Sequence, residues 1–361
     1  MNYLLLPFAI AYDAVTSIRN MMYDHGILAS EAYDLPVICI GNLTVGGTGK
    51  TPHTEYLVRL LQAEGYRVAV LSKGYKRKTK GFVLATADST AADIGDEPLQ
   101  LALKFPGLVV AVDEDRRHGI QRLVTGSETG GIDVILLDDA FQHRRVTAGL
   151  NILLTDSGRL YTHDYLLPAG RLRENPRGGR RADIVVVTKL DQDINDFEAY
   201  RYYDTLDIQS NQDIYFTRYS YGDLYNRYNE ISLADLHNYN VLLVTGIANP
   251  KPMEQELSRY TRFSVIRYAD HHTFTRDDYI TIQREYQALD TDKPRIVVTT
   301  EKDMTRLRPD GTIPDTAIFA LPIAVDVVHN EKDKFNQQIL DYVRTNSRNR
   351  TISQTADDGQ A

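Results

Sequence analysis

The sequence predicts an α/β protein. A mainly parallel sheet, covered by helices on both faces, is followed by a second, smaller α/β domain and preceded by an amphipathic helix. Three observations carry this. Short apolar runs at residues 37–40, 68–71, 108–112, 134–137, 152–154 and 184–187 alternate with helix-like segments. Most of these runs are rich in β-branched residues and too short for helices, as buried parallel strands are. The first run feeds a glycine-rich turn, GNLTVGGTGKTP from Gly41 to Pro52, and a helical segment at 51–64 follows. A second alternation of strands and helices starts at residue 241, after a stretch rich in Tyr, Asp and Asn (192–240).

The chain has 361 residues, enough for two domains with a sizeable core. Its parts are expected to be an N-terminal helix over 1–25, a core over 26–212, a C-terminal α/β domain with linker strands over 213–346, and a disordered polar tail over 347–361. There is no internal repeat. The formal net charge of -8 argues against general nucleic-acid binding. The one cysteine, Cys39, forms no internal disulfide, which suits a reducing compartment. At the N-terminus the uncharged run ends at Asp13, too short to span a bilayer, and the features of a signal peptide are missing. Leu4, Leu5, Ile10, Ala11, Val15, Ile18, Met21 and Met22 fall on one helical face. That face either packs on the core or lies in a membrane interface.

Gly49-Lys50-Thr51 ends the turn as a phosphate-binding loop ends, although Thr44 stands where the usual first glycine would be. Gly46, Gly47 and Gly49 permit the angles that curl main-chain N–H groups around phosphate oxygens. The helix beginning near Lys50 adds its positive dipole end. Lys50 then reaches the β- and γ-phosphates and the Thr51 hydroxyl ligates Mg²⁺. The strand–loop–helix context makes the fold P-loop-NTPase-like. A ligand-free glycine turn is the plainer alternative.

A magnesium nucleotide site also needs an acid at the end of a neighbouring strand. The run 134–137 leads directly into Asp138-Asp139. Asp96-Glu97 either cap a helix or form a second acidic pair, Glu97 toward metal and Asp96 as base. Asp270, His271 and His272 offer a His–carboxylate pair able to share a proton, or simply a surface loop. Metal binding by the two histidines is not expected. Arg171, Arg173, Arg177, Arg180 and Arg181 suit an anionic substrate, and Arg144 and Arg145 follow the acid pair.

Two rival switch proteins share fragments of this pattern. Residues 188–191, TKLD, and 300–303, TEKD, look like the guanine-reading motif of GTPases. Phe141 and Gln142, however, fill the offsets where the glycine of Asp-x-x-Gly belongs. Residues 45–51 match the loop of partition-type ATPases except that Val45 replaces the signature lysine. The whole ordered set instead resembles the tetraacyldisaccharide 4'-kinase family: GNLTVGGTGKTP, SKGYKRK (72–78), GDEP (95–98), LLDDAFQHRRV, LLPAGRLRE, VVVTK (185–189), DHH and TEKD. The similarity runs from the N-terminal helix to about Arg344. SKGYKRK keeps its basic charge with Lys73 and Lys76 in place of the family's Arg and Gly.

The resemblance implies transfer of the ATP γ-phosphoryl group to the 4'-hydroxyl of tetraacyldisaccharide 1-phosphate, giving lipid IVA, with ATP and Mg²⁺ as cofactors. It implies ATP binding by Thr44, Val45, Gly46, Gly47, Thr48, Gly49, Lys50 and Thr51. Asp96 matches the family's base and His271 the histidine paired with it. Thr51, Glu97 and Asp138 match the metal side. Asp139, His143, Arg173 and Glu174 match other active-site residues. Asp96 and His271 fall in different domains, so domain closure is expected to complete the site. A four-chain lipid substrate implies work at a membrane surface, the cytoplasmic face of the bacterial inner membrane, with the N-terminal helix in the interface. No nucleic-acid partner is implied.

Overall fold

The computed structural model describes residues 3–307 and 313–357, by backbone alone at 3, 128 and 348–357. Two compact units divide the chain: Met1–Tyr219 with Val325–Ala361, and Ser220–Ala324.

In the first unit, α1 (Leu6–Asp24) precedes β1 (Val37–Asn42) and α2 (Lys50–Ala63). Then come β2 (Val68–Ser72), β3 (Val83–Leu84), α3 (Ala91–Ile94), α4 (Asp96–Lys104), β4 (Val109–Val112) and α5 (Arg116–Thr125). They are followed by β5 (Val134–Asp138), β6 (Leu150–Asp156), β7 (Ile184–Thr188), α6 (Asp196–Thr205) and β8 (Asp213–Tyr221). The second unit holds β9 (Leu224–Tyr225), β10 (Glu230–Ile231), β11 (Asn240–Thr245), α7 (Lys251–Leu257), β12 (Phe263–Arg267), α8 (Arg276–Ala288), β13 (Arg295–Thr300), α9 (Glu301–Met304) and β14 (Ile318–Leu321). The chain returns to the first unit through β15 (Ile323–Val327) and α10 (Lys332–Asp357).

The larger sheet has the order β15-β8-β7-β6-β1-β5-β2-β4-β3. Its central pairs are parallel, and β3 runs antiparallel to β4. Every residue of β1, β2, β5 and β7 is buried, because both faces are covered. Alternation sorts the side chains. Cys39, Leu71, Leu137 and Val187 join the core under α5 with Ile120 and Leu123. Ile38, Ile40, Val70 and Leu136 join the opposite core with Leu57, Val58 and Leu61 of α2 and Phe335 and Ile339 of α10. β1 pairs with β5 on one side and β6 on the other, and Ile40 lies opposite Asp138. The loop after β1 and the acids after β5 therefore leave the sheet side by side. Ligands of open α/β sheets bind at such strand ends.

The smaller sheet has the order β10-β9-β14-β13-β11-β12, with β12, β11, β13 and β14 parallel. It too is cored on both faces, by Leu243, Val298 and Phe319 on one side and Leu242, Val244 and Val297 on the other.

The compact unit Ser220–Ala324 differs from the expected span 213–346. β8 pairs in parallel with β7, and β15 takes the far edge of the larger sheet beside it. Only Pro322 separates β14 from β15, so the crossing back leaves no loop-like stretch to read. The expected disordered tail, 347–361, also differs: α10 continues to Asp357, and the last four residues lie outside those described.

Candidate active site

The loop after β1 is braced before any ligand is considered. Val45 N–H donates to the Arg171 carbonyl (2.8 Å) and Arg173 N–H to the Leu43 carbonyl (2.7 Å), with Thr44 bridged to Leu172 between them. Thr44 thus sits buried in a short antiparallel ladder. That is the extended backbone a β-branched residue favours, and it explains why no glycine is needed there. Asn42 Nδ2 donates to Thr48 Oγ1 (2.8 Å), and Thr48 N–H to the Gly46 carbonyl (3.1 Å). Gly49 has φ +92 and is the turn into α2, a conformation glycine adopts without a Cβ penalty. Val45 stands partly exposed on the outer side, and a side chain added at Gly47 would meet nothing. Lys50 and Thr51 open α2, where the helix leaves its first N–H groups unpaired.

Lys50 Nζ stands 3.6 Å from Asp139 Oδ1 and 3.5 Å from Asn42 Oδ1. Arg173 grips Asp139 with two N–H groups, at 2.8 and 3.2 Å. Asp139 has φ +49, a left-handed turn that Asp tolerates better than most residues. Burial opposes its charge, but Lys50 and Arg173 outweigh it and hold the carboxyl below its ordinary range. Asp138 behaves oppositely. It is almost fully buried, and its side chain accepts from the hydroxyls of Ser72 (3.2 Å) and Thr54 (3.5 Å). Burial first, then the nearby Glu97 and Asp139 carboxylates, push its proton affinity up. Lys50 and Arg173 favour the charge of one acid of the pair, while burial and neighbouring carboxylates outweigh Lys50 and Arg116 at the other.

Asp96 and Glu97 open α4, and Asp96 is buried. Glu97 is close enough to Asp138 to raise it, so the two expected metal-side acids share one region. Among the described residues no three His, Cys or carboxylate side chains converge on one ion. Mg²⁺ keeps several waters and takes one or two carboxylates with phosphate oxygens. The donor set therefore fits: a hard, underneutralised carboxylate at Asp138, Glu97 nearby, and the Thr51 hydroxyl at the loop.

His143 and Glu174 serve other contacts. His143 Nε2 accepts Arg116 N–H (3.3 Å) and lies 3.7 Å from Asp115. Burial and then Arg116 lower its pKa to about 4, so the ring is neutral at pH 7. Glu174 is buried and accepts from Arg181 (2.9 Å), Asn20 (2.7 Å) and Gln142 (3.0 Å). It is an anchor for α1. His271 belongs to the second unit, in the turn after β12, with φ +57.

Several contributors escaped the motif reading. His53, one turn into α2, is buried and bonds the Gly49 carbonyl through Nδ1 (2.7 Å) and Thr217 through Nε2 (3.0 Å). Burial lowers its pKa to about 4, and a neutral ring donating to Gly49 fits that. Its spacing of four from Gly49 was the available signal. Thr188 Oγ1 donates to the Thr48 carbonyl (2.9 Å), and Lys189 bonds the Gly47 carbonyl and Asp156. The TKLD segment thus braces the phosphate loop. In TEKD, Asp303 is fully buried and accepts Gly246 N–H (2.9 Å) and the Thr300 hydroxyl (2.8 Å) inside the second unit. Asp303 is thus spent on internal bonds and is not presented as a base-reading group would be.

A phosphate loop, an acid-ended neighbouring strand and a loop lysine define a phosphate-loop nucleotide-binding protein. The family model described as tetraacyldisaccharide-1-P 4'-kinase matches residues 1–344. A tetraacyldisaccharide 4'-kinase of Bacteroides thetaiotaomicron is 47% identical, over 97% of this chain and 95% of that one. Another, of Bacteroides fragilis, is 48% identical over 98% and 96%. The solved structure of LpxK from Aquifex aeolicus in complex with ATP is similar at a TM-score of 0.72 and 29% identity, covering 94% of this chain and 98% of that one. The chain belongs to the tetraacyldisaccharide 4'-kinase family and is an ATP-dependent kinase.

Proposed function

We propose that this kinase transfers the γ-phosphoryl group of ATP to the 4'-hydroxyl of tetraacyldisaccharide 1-phosphate, forming lipid IVA. The observation that carries the reading is the pairing of Lys50 with an Asp139 already clamped by Arg173, beside a braced phosphate loop. Such a pair holds the lysine in place until phosphate oxygens compete for it. The loop residues Thr44 to Gly49, with Lys50 and Thr51, bind the triphosphate through main-chain N–H groups and the α2 dipole. Asp138, Glu97 and Thr51 would hold Mg²⁺, which would supply positive charge against the phosphate oxygens. Asp96 takes the acceptor proton as the hydroxyl oxygen attacks, the bond to the β,γ-bridging oxygen breaks, and ADP leaves. His271 assists Asp96, as the family resemblance implies. Asp139 and Arg173 set the lysine, His143 supports the acid-bearing turn through Arg116, and Glu174 holds Arg181 and α1.

The acceptor is a lipid, and α1 supports work at a bilayer surface, which we assign to the cytoplasmic face of the inner membrane. Phe8, Ile10 and Val15 are 65%, 69% and 67% exposed, and only Ala9 and Thr16 of the helix are buried. The apolar face points outward, which is the interfacial alternative rather than packing on the core. No helix among the described residues is long and apolar enough to cross a membrane. Purified protein with ATP-Mg²⁺ and tetraacyldisaccharide 1-phosphate in detergent micelles is expected to yield the 4'-phosphorylated product. Folded protein that makes none at any detergent ratio sinks the proposal. In the same assay, Asp96→Ala should lower kcat by about 10²–10⁴-fold, the range of a general base, with nucleotide affinity retained.

A further inference from the structure

One arginine beside the phosphate loop, Arg171, is left unused by the site as described. Arg171 is fixed by its main chain. Its carbonyl accepts Val45 N–H (2.8 Å), and its own N–H donates to Asp164 Oδ1 (3.3 Å). These bonds deliver the side chain to Gly46. A methyl group built on Gly46 would have one neighbour within 4 Å, Nη1 of Arg171 at 4.0 Å, and one on Gly47 would have none. The guanidinium therefore stands beside the loop, and the space above Gly47 is open.

Its charge is also uncommitted. Arg173 is paired with Asp139, Arg180 with Asp207 and Arg181 with Glu174. Asp164, the carboxylate that holds the Arg171 main chain, is itself taken by Arg159 at 2.8 and 2.9 Å. Among the described residues Arg171 makes no ion pair. An unpaired guanidinium fastened to a phosphate loop has the position of the arginine that phosphoryl-transfer sites use for transition-state charge, supplied either in cis or by a partner.

We propose that Arg171 acts in cis on the γ-phosphoryl group, donating N–H bonds to its oxygens as the group passes from ADP to the acceptor. As the acceptor oxygen bonds to phosphorus and the bridging bond breaks, the electron pair leaves on ADP and the proton goes to the base. Arg171 exchanges no atom. It neutralises charge that the phosphoryl oxygens carry in the transition state, and it leaves ADP alone once the group has gone. The inference rests on the kinase reading above and adds a residue to it.

The test uses the full chain with Arg171→Ala and Arg171→Lys. It measures kcat, KM for ATP and for the lipid, and, by calorimetry, the affinities of Mg-ADP and of the β,γ-imido analogue of ATP. Arg171→Ala is expected to lower kcat by about 10²–10³-fold, and to weaken the imido analogue about tenfold, as loss of a charge-assisted bond does, with ADP affinity unchanged. Arg171→Lys should recover part of both. An unchanged kcat overturns the inference. So does a rise confined to the lipid KM, which would give Arg171 to an acceptor phosphate. So does equal weakening of ADP and the imido analogue, which would make it a brace of the loop. A wild-type protein without kinase activity defeats the kinase reading itself, whereas active wild type with an equally active Arg171→Ala defeats only this step.

Discussion

Helices α1 and α2 use their apolar residues in opposite ways. α2 turns Leu57, Val58 and Leu61 into the sheet and presents Lys50 at its free end. α1 turns Phe8, Ile10, Val15 and Ile18 to solvent and docks through polar groups. Tyr12 Oη donates to the Arg173 carbonyl (2.9 Å), Asn175 to Asp13 (3.3 Å) and Asn20 to Glu174 (2.7 Å). An ordinary surface helix buries its apolar stripe. An inverted one needs polar docking and a second apolar phase for the other face. Arg173, Glu174 and Asn175 are among the partners of α1, so the helix is tied to the segment whose arginine clamps Asp139.

The comparison can be broken by substitution. Leu61→Ala in α2 should cost about 2–5 kcal/mol by leaving a cavity in a fully buried position, read as a lower urea midpoint. A loss under 1 kcal/mol would mean that α2 is not anchored through this stripe. Lys50→Ala should lower kcat by about 10²–10³-fold while the urea midpoint barely moves, since Arg173 still pairs with Asp139. Comparable loss of stability would show a structural lysine.

Next in size is a pH effect on α2 alone. The folded pKa of His53 is lowered to about 4 from 6.5. Between those values the unfolded chain binds the proton and the fold does not, so this stabilisation is complete above pH 6.5 and is lost as pH falls toward 4. From pH 7.5 to 5 the loss is on the order of 1–2 kcal/mol. His53→Gln should show a flatter acid limb in urea titrations, and an unchanged limb would remove His53 as its cause. On α1, Asn20→Ala should cost roughly 1 kcal/mol, because one buried acceptor bond of Glu174 is lost. Paired Ile10→Ser and Ile18→Ser changes should shift stability by no more than about 0.5 kcal/mol, yet abolish flotation with anionic vesicles. Retained flotation would refute the interfacial role.

Much of the candidate site could be proposed from the sequence because phosphate chemistry constrains adjacent residues. Glycines, Lys50 and Thr51 must be contiguous, and Asp138-Asp139 must end a strand, so short motifs carry them. His53 and Thr188 were harder to read. Each braces the loop from another element, and nothing in their local sequence records what they touch. Glu174 shows the same limit, since its motif position proposes an active-site role but does not record its bonds to α1 and Arg181. The boundaries of the second unit were obscured by β15, a strand that resumes the first sheet one residue after β14.

Periodicity and motif spacing alone were sufficient for the α/β class, the phosphate loop, the acid pair and the existence of the first helix. These depend on residues near one another in the chain, where side-chain pattern dictates backbone conformation. Tertiary packing decided which way the apolar face of α1 points, which carboxylate Lys50 and Arg173 share, and which arginine stays unpaired beside Gly46. Those outcomes follow from competition among distant groups for the same partners, and that competition is settled only when the sheet brings the strand ends together.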